Sequence, residues 1–100
     1  LSNLANLYFS LSQFSQSEQL YLQALELKKR FFGNNHPDVA LCLQNLGLLY
    51  QYQEYYSEAE SLYIQAWGIY LQVLGQDHPK TQKIANSLAL VHAEMGKHNL

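Results

Sequence analysis

Two histidines and one cysteine carry the most reactive side chains of this chain. His36 and His78 lie 42 positions apart, each directly before a proline, and no cysteine or carboxylate recurs beside both. A zinc site needs several such ligands converging on one ion, so the histidines are predicted to serve in helix capping and loop packing. Cys42 could pair with His36 as nucleophile and base, but it falls on the apolar side of a predicted helix and is interpreted as a core residue.

Catalysis has no support elsewhere in the sequence. The chain contains no glycine-rich phosphate loop, carboxylate pair or metal-ligand cluster. We therefore predict that the chain is not an enzyme and that it uses no cofactor and no metal. The polar side chains that remain are mostly amides. These suit peptide recognition, because a carboxamide both donates hydrogen bonds to a main chain and accepts them from it.

Composition narrows the class of partner. One hundred residues, 48% of them hydrophobic, suffice for one compact domain. The formal net charge of -2 gives no field that attracts nucleic acid or an anionic membrane, and no apolar run is long enough to cross a bilayer. The basic cluster Lys28-Lys29-Arg30 is predicted to offset a helix dipole. A single cysteine excludes an internal disulfide, which favours a reducing compartment, and we predict a cytoplasmic location.

A repeat of 42 residues organises the whole chain. Asn3-Leu4, Gly33 and His36-Pro37 recur as Asn45-Leu46, Gly75 and His78-Pro79. A third copy opens at Ser87-Leu88 and is incomplete, so we expect the chain to be part of a longer array. Self-similarity at such a period indicates stacked supersecondary units, each of which buries a face against its neighbour.

Apolar residues within each unit follow the three-four spacing of helices. The pattern predicts helices near 1–12, 15–32, 38–53, 57–74 and 80–95, with no strand. Ser15 with Glu18, and Ser57 with Glu60, are predicted to form capping boxes at helix starts. The glycines at 33 and 75 are predicted to end helices in a left-handed conformation, and the following His-Pro pairs are predicted to begin the next helices.

Small residues distinguish among the helical repeats of this length. Gly47, Ala59 and Ala66 stand where two helices would cross closely. Together with the motifs Asn-Leu-x-x-Leu-Tyr, Ser-x-x-Glu-x-Leu-Tyr-x-x-Ala and Gly-x-x-His-Pro, they resemble the tetratricopeptide repeat of the 42-residue kinesin light chain type. The resemblance implies an all-α fold, a right-handed superhelical array of antiparallel helix pairs with about two and a half repeats. The implied single domain spans 1–100, with repeats at about 3–44, 45–86 and 87–100. Gly68 interrupts a predicted helix, where close packing is one possible reason.

The same resemblance implies a binding surface, because the first helices of successive repeats line a concave groove that holds peptides. Matched by offset, the groove residues are Ser2, Asn6, Phe9 and Ser10, then Gln44, Asn45, Leu48, Gln51 and Tyr52, then Lys83, Asn86, Leu90 and Glu94. A carboxylate clamp is one version of such a groove, and Lys83 matches one of its cations, but Ser2 and Ser87 stand where others are expected. For Asn3 and Asn45 the alternative is a buried amide that ties adjacent helices together.

These observations favour a protein–protein interaction scaffold that binds a partner peptide or helix. Two other functions stay open at this point. One is self-assembly into a homo-oligomer through exposed repeat ends, and the other is a regulatory segment of a larger protein. Tyr52, Tyr55 and Tyr56 crowd a predicted helix–helix turn, where at least one of them is expected to be exposed, whereas most of the recurring aromatic residues are expected in the core.

Overall fold

Four helices form the part of the chain that the structure, a computed structural model, describes, which is residues 13–98. They are α1 (Phe14–Phe32), α2 (Pro37–Tyr52), α3 (Tyr56–Leu74) and α4 (Pro79–His98). No strand occurs among these residues. The all-α prediction is confirmed, and the four helices predicted here begin and end within about three residues of the observed bounds. The helix predicted over 1–12 lies outside the described residues.

The loops before α2 and α4 are built as the His-Pro motif predicts. Gly33 and Gly75 end the preceding helices with φ of +81° and +90°, a conformation that a side chain would strain. Their ψ angles, -179° and 165°, are extended and differ from the left-handed helical values that we predicted. The histidine Nδ1 atoms then accept hydrogen bonds from the backbone N–H groups of Asp38, at 3.0 Å, and Lys80, at 3.1 Å. The two histidines therefore act as helix caps.

The predicted capping boxes are wrong. Helices α1 and α3 begin at Phe14 and Tyr56, and their N-cap residues make no side-chain capping hydrogen bond. Phe14 and Tyr56 pack against the hydrophobic core, so each helix begins one residue before the serine that was predicted to cap it. Ser15 therefore lies inside α1, one residue after its start. The glutamate of each predicted box has a different role.

Glu18 and its repeat counterpart Glu60 connect successive helix pairs. The Tyr50 hydroxyl donates to Glu18 Oε1 at 2.7 Å, which joins the start of α1 to the end of α2. Forty-two residues later, His92 Nε2 lies 2.6 Å from Glu60 Oε2 and joins α3 to α4 in the same way. Both links join the first part of one helix to the last part of the next. Neighbouring helices are therefore antiparallel.

The core is centred on the crossing of α2 and α3. Leu46 and Tyr63 are each about 1% exposed, and Ala59 and Ala66 are fully buried. A β-carbon added at Gly47 would lie only 2.7 Å from Cε1 of the Tyr63 ring. The prediction of a close crossing at small residues is thus confirmed, and Gly47 is the position with the least room.

Gly68 has no such reason to be small. A β-carbon at this position would meet nothing within 4 Å. The proposal of close packing at this glycine is therefore wrong, although an interior helical glycine costs about 1 kcal/mol against alanine.

These two glycines provide a matched test of the packing. Gly47→Ala is expected to lower the free energy of unfolding by about 1–2 kcal/mol, because the buried Tyr63 ring has to move. Gly68→Ala is expected to raise it by about 0.5–1 kcal/mol through helix propensity alone. Urea unfolding followed by circular dichroism measures both. A stabilising Gly47→Ala would contradict the close crossing.

Candidate functional site

One side of α2 exposes a continuous row of six residues, five of them predicted groove residues, which we call the α2 stripe. Its members share the three-four spacing of a single helical face and are Leu41, Gln44, Asn45, Leu48, Gln51 and Tyr52. The apolar members are open to solvent, with Leu41 47%, Leu48 39% and Tyr52 63% exposed. The three amides are half-buried between them.

Leu41 was missed by the sequence reasoning. It lies seven residues before Leu48 on the same face, and its repeat counterpart 42 positions later is Lys83, which was included. The 42-residue spacing from Lys83 could therefore have identified Leu41 as a groove residue. Because its neighbours Ala40 and Cys42 are buried, a leucine at this position is interpreted as a core residue when the orientation of the helix is unknown.

Two glutamines of the stripe are fixed from below by buried tyrosines of α3. The Tyr70 hydroxyl donates to Gln44 Oε1 at 3.3 Å, and the Tyr63 hydroxyl donates to Gln51 Oε1 at 2.8 Å. Both tyrosines are about 1% exposed. Within the described residues no hydrogen bond occupies either Nε2 atom, so each amide keeps its donor group for another partner. The glutamines are thus held in place through their oxygens.

Asn45 and Tyr52 complete the row. The side chain of Asn45 makes no hydrogen bond within residues 13–98, so the structural alternative of an amide that ties helices together finds no contact there. Tyr52 lies close enough to Tyr63 to influence its ionisation. Burial first, and then the Tyr52 hydroxyl, raise the pKa of Tyr63 to about 12.

Helix α4 exposes the corresponding residues of the next repeat. Lys83, Asn86 and Leu90 are exposed, and Leu90 is 62% exposed. Glu94 is half-buried and forms an ion pair with Lys97 at 3.1 Å, which offsets its charge. The predicted groove residues Ser2, Asn6, Phe9 and Ser10 lie outside the described residues.

The reactive side chains of the sequence are used structurally. Cys42 is 4% exposed, as predicted for a core residue, and burial raises the pKa of its thiol. Between residues 13 and 98, no group of three or more histidine, cysteine or acidic side chains is arranged to hold a metal ion. Nor does any helix in this range have an apolar stretch long enough to cross a bilayer.

Comparison with known proteins assigns the family. A family model described as the tetratricopeptide repeat matches residues 1–72. The chain belongs to the tetratricopeptide repeat family. No curated protein sequence matches the chain. Among solved structures, the tetratricopeptide repeat chain is similar to the crystal structure of BtubC (BKLC) from P. vanneervenii, with a TM-score of 0.86 and 20% sequence identity.

That match covers 94% of this chain but only 37% of the BtubC chain. At this identity the likeness concerns the fold, and it confirms an all-α solenoid of stacked helix pairs. Tetratricopeptide repeats generally mediate protein–protein interactions.

The tyrosine contacts predict how stability depends on alkaline pH. The hydrogen bond to Glu18, followed by burial, raises the pKa of Tyr50 to about 12, and Tyr63 reaches a similar value. Because both values lie above the ordinary value of 10, folding favours the protonated phenols. Their contribution is complete below pH 10 and is lost as the pH rises from 10 towards 12.

We therefore expect urea unfolding to show a steep loss of stability between pH 10 and 12. In Tyr50→Phe the curve should be shallower, although the variant is less stable at pH 8 by about 1 kcal/mol. The control is Tyr55→Phe, at a side chain that is 52% exposed. Equal slopes in Tyr50→Phe and the unmodified protein would contradict this assignment.

Proposed function

We propose that this chain is a protein–protein interaction scaffold, and that it binds an extended peptide or a helix of a partner protein along the α2 stripe and the exposed side of α4. The observation that carries the proposal is the alternation in the α2 stripe. Exposed Leu41, Leu48 and Tyr52 alternate with two glutamines, at 44 and 51, whose oxygens are already bound to Tyr70 and Tyr63. Such a row offers apolar contacts and fixed hydrogen-bond donors together.

The chemistry of this row suits a peptide main chain. A peptide carbonyl accepts from an amide N–H group without requiring a particular side chain, while the leucines and Tyr52 contact the side chains between the carbonyls. Because Gln44 and Gln51 are held by buried hydroxyls, they lose little further conformational entropy when a ligand binds. On α4, Lys83, Asn86 and Leu90 extend the same mixture of charge, amide and apolar surface.

The proposal also covers catalysis and cellular location. We propose binding without catalysis, because the only thiol, that of Cys42, is buried in the core. A single cysteine also supports the proposed cytoplasmic location, since reducing compartments require no disulfide.

A selected peptide tests the location of the site. A random peptide library displayed on phage provides a binder, and fluorescence anisotropy then measures its affinity. Leu48→Glu is expected to weaken binding at least tenfold, because it replaces an apolar contact by a charge. The matched control is Ile64→Glu on α3, where the isoleucine is 49% exposed and lies outside the stripe. Binding that Leu48→Glu leaves unchanged would show that the groove is misplaced.

The asparagines of the predicted groove give a second test with the same peptide. Replacement of Asn6 and Asn45 by alanine is expected to weaken binding about tenfold, with helicity unchanged by circular dichroism. If the affinity of the double variant equals that of the unmodified protein, these asparagines do not belong to the site.

An isosteric exchange tests the donor role of the glutamines. Gln51→Glu keeps an acceptor for the Tyr63 hydroxyl but replaces the surface N–H₂ group with a second acceptor oxygen. We expect little change in the thermal unfolding midpoint and about a tenfold loss of peptide affinity. A peptide that binds Gln51→Glu as tightly as the unmodified protein would contradict the role of Gln51 as a donor.

A further inference from the structure

A pocket lies on the opposite side of α2 from the α2 stripe, and we call it the α1–α3 pocket. It has a volume of about 430 Å³, within the range typical of ligand sites. Its floor is formed by Val39, Leu43 and Ile69, which are 8% exposed or less. These residues come from α2 and α3, while α1 and the loop that follows it form the facing wall. The floor therefore closes the pocket from below and presents very little apolar surface to a ligand.

Four carboxamides line the pocket above this floor. Asn34 and Asn35 come from the loop after α1, and Gln65 and Gln72 come from α3. All four are exposed, and none of them forms a side-chain hydrogen bond with another described residue. The pocket therefore offers both donors and acceptors for a peptide main chain.

Lys29 gives the pocket a positive charge that pairs with no residue between 13 and 98. Within the described residues its neighbours in sequence are both paired, Lys28 with Asp38 at 3.4 Å and Arg30 with Glu26 at 3.5 Å. Lys29 lines the pocket and takes part in no ion pair or hydrogen bond there. The basic cluster predicted to offset a helix dipole thus includes one ammonium group that is available to an anion.

Gly68 keeps the pocket open. It lies in the interior of α3 and lines the pocket, and a β-carbon at this position would point into empty space. The fold does not require a glycine here, because the residue at the same offset in the first repeat is Glu26. A longer side chain would add bulk to the lining of the pocket without meeting the core, so the glycine affects access to the pocket and leaves core packing unchanged.

The charge of the pocket is not a general property of the repeat. An equivalent pocket occurs 42 residues later, where Leu71 replaces Lys29 and Asp77 replaces Asn35. The two pockets therefore share their location in the repeat but differ in chemistry. A cation among amides is particular to the α1–α3 pocket.

We propose that the α1–α3 pocket is a second binding site, separate from the α2 stripe, for a peptide segment that carries a carboxylate. The Lys29 ammonium group binds the carboxylate, and the carboxamides bind the neighbouring main chain above the closed floor. The carboxylate belongs to an acidic side chain or to the end of a chain, since both present the same two oxygens.

Three short peptides test the proposal by NMR on the ¹⁵N-labelled chain. Acetyl-Leu-Asp-Ala-amide carries a side-chain carboxylate, acetyl-Leu-Asn-Ala with a free carboxyl end carries a terminal one, and acetyl-Leu-Asn-Ala-amide carries none. Saturable shifts in the side-chain N–H₂ signals of Asn34, Asn35, Gln65 and Gln72 are expected with at least one of the first two peptides. The third peptide is expected to bind at least tenfold more weakly.

Two variants and their controls locate the binding. Lys29→Gln is expected to weaken binding about tenfold through loss of the charged contact, whereas Lys80→Gln leaves it unchanged. Gly68→Leu is expected to abolish binding by filling the pocket, and its matched control is Gly96→Leu, at a helical glycine that also has open space around it. Since leucine favours helix over glycine, Gly68→Leu should unfold at an equal or higher temperature.

The outcomes separate cleanly. A response to only one of the two carboxylate peptides supports the proposal and identifies the source of the carboxylate. The absence of saturable shifts, equal binding of the peptide without a carboxylate, or undiminished binding to Gly68→Leu would each overturn it. None of these results depends on whether the α2 stripe binds a peptide.

Discussion

The close approach of α2 and α3 at Gly47 is the constraint on which the rest of the described structure depends. The Tyr63 ring occupies the space that a β-carbon at Gly47 would need, so the two helices can pack at this distance only with glycine there. This approach places the hydroxyls of Tyr63 and Tyr70 at the depth of Gln51 and Gln44. The surface chemistry of α2 therefore follows from a packing requirement in the core.

The same constraint explains why two glutamines on the exposed face of α2 are held in place. A glutamine on an exposed helix face normally samples several rotamers, and their entropy is lost when a ligand binds. Here the buried tyrosines hold the glutamine oxygens at two points seven residues apart on α2. A surface residue has thus become part of the helix–helix contact, and core stability and surface order are linked.

Much of the fold could be predicted from the sequence, because the decisive signals are local. Gly33 meets a backbone requirement at the end of one helix, and His36 caps the start of the next. The three-four spacing of apolar residues locates the helices. The start of α1 was misplaced because Ser15 satisfies a local motif, while the packing of Phe14 against the core decides the matter. A capping motif is recognised from neighbouring residues and contains no information about this tertiary contact.

The candidate site was predictable in outline only. Helical spacing placed Gln44, Leu48 and Gln51 on one face, but the partner of each glutamine depends on the register between α2 and α3, which no spacing within one helix contains. The pocket beside Gly68 was missed for a related reason. It is formed by residues from three helices and a loop, and a glycine contributes only the space it leaves empty.

The two links between successive helix pairs differ in chemistry, and this difference affects how the array loses its structure. In a solenoid, stability is close to a sum of contributions from units and their junctions, so a weaker junction lets one end open before the other. Between α1 and α2 the Tyr50 hydroxyl is a neutral donor to Glu18, and Lys28 pairs with Asp38 across the same two helices, whereas α3 and α4 are joined by the contact of His92 with Glu60. The two junctions therefore differ in the number and kind of their polar contacts, and the weaker of them sets the end from which the described helices begin to unfold.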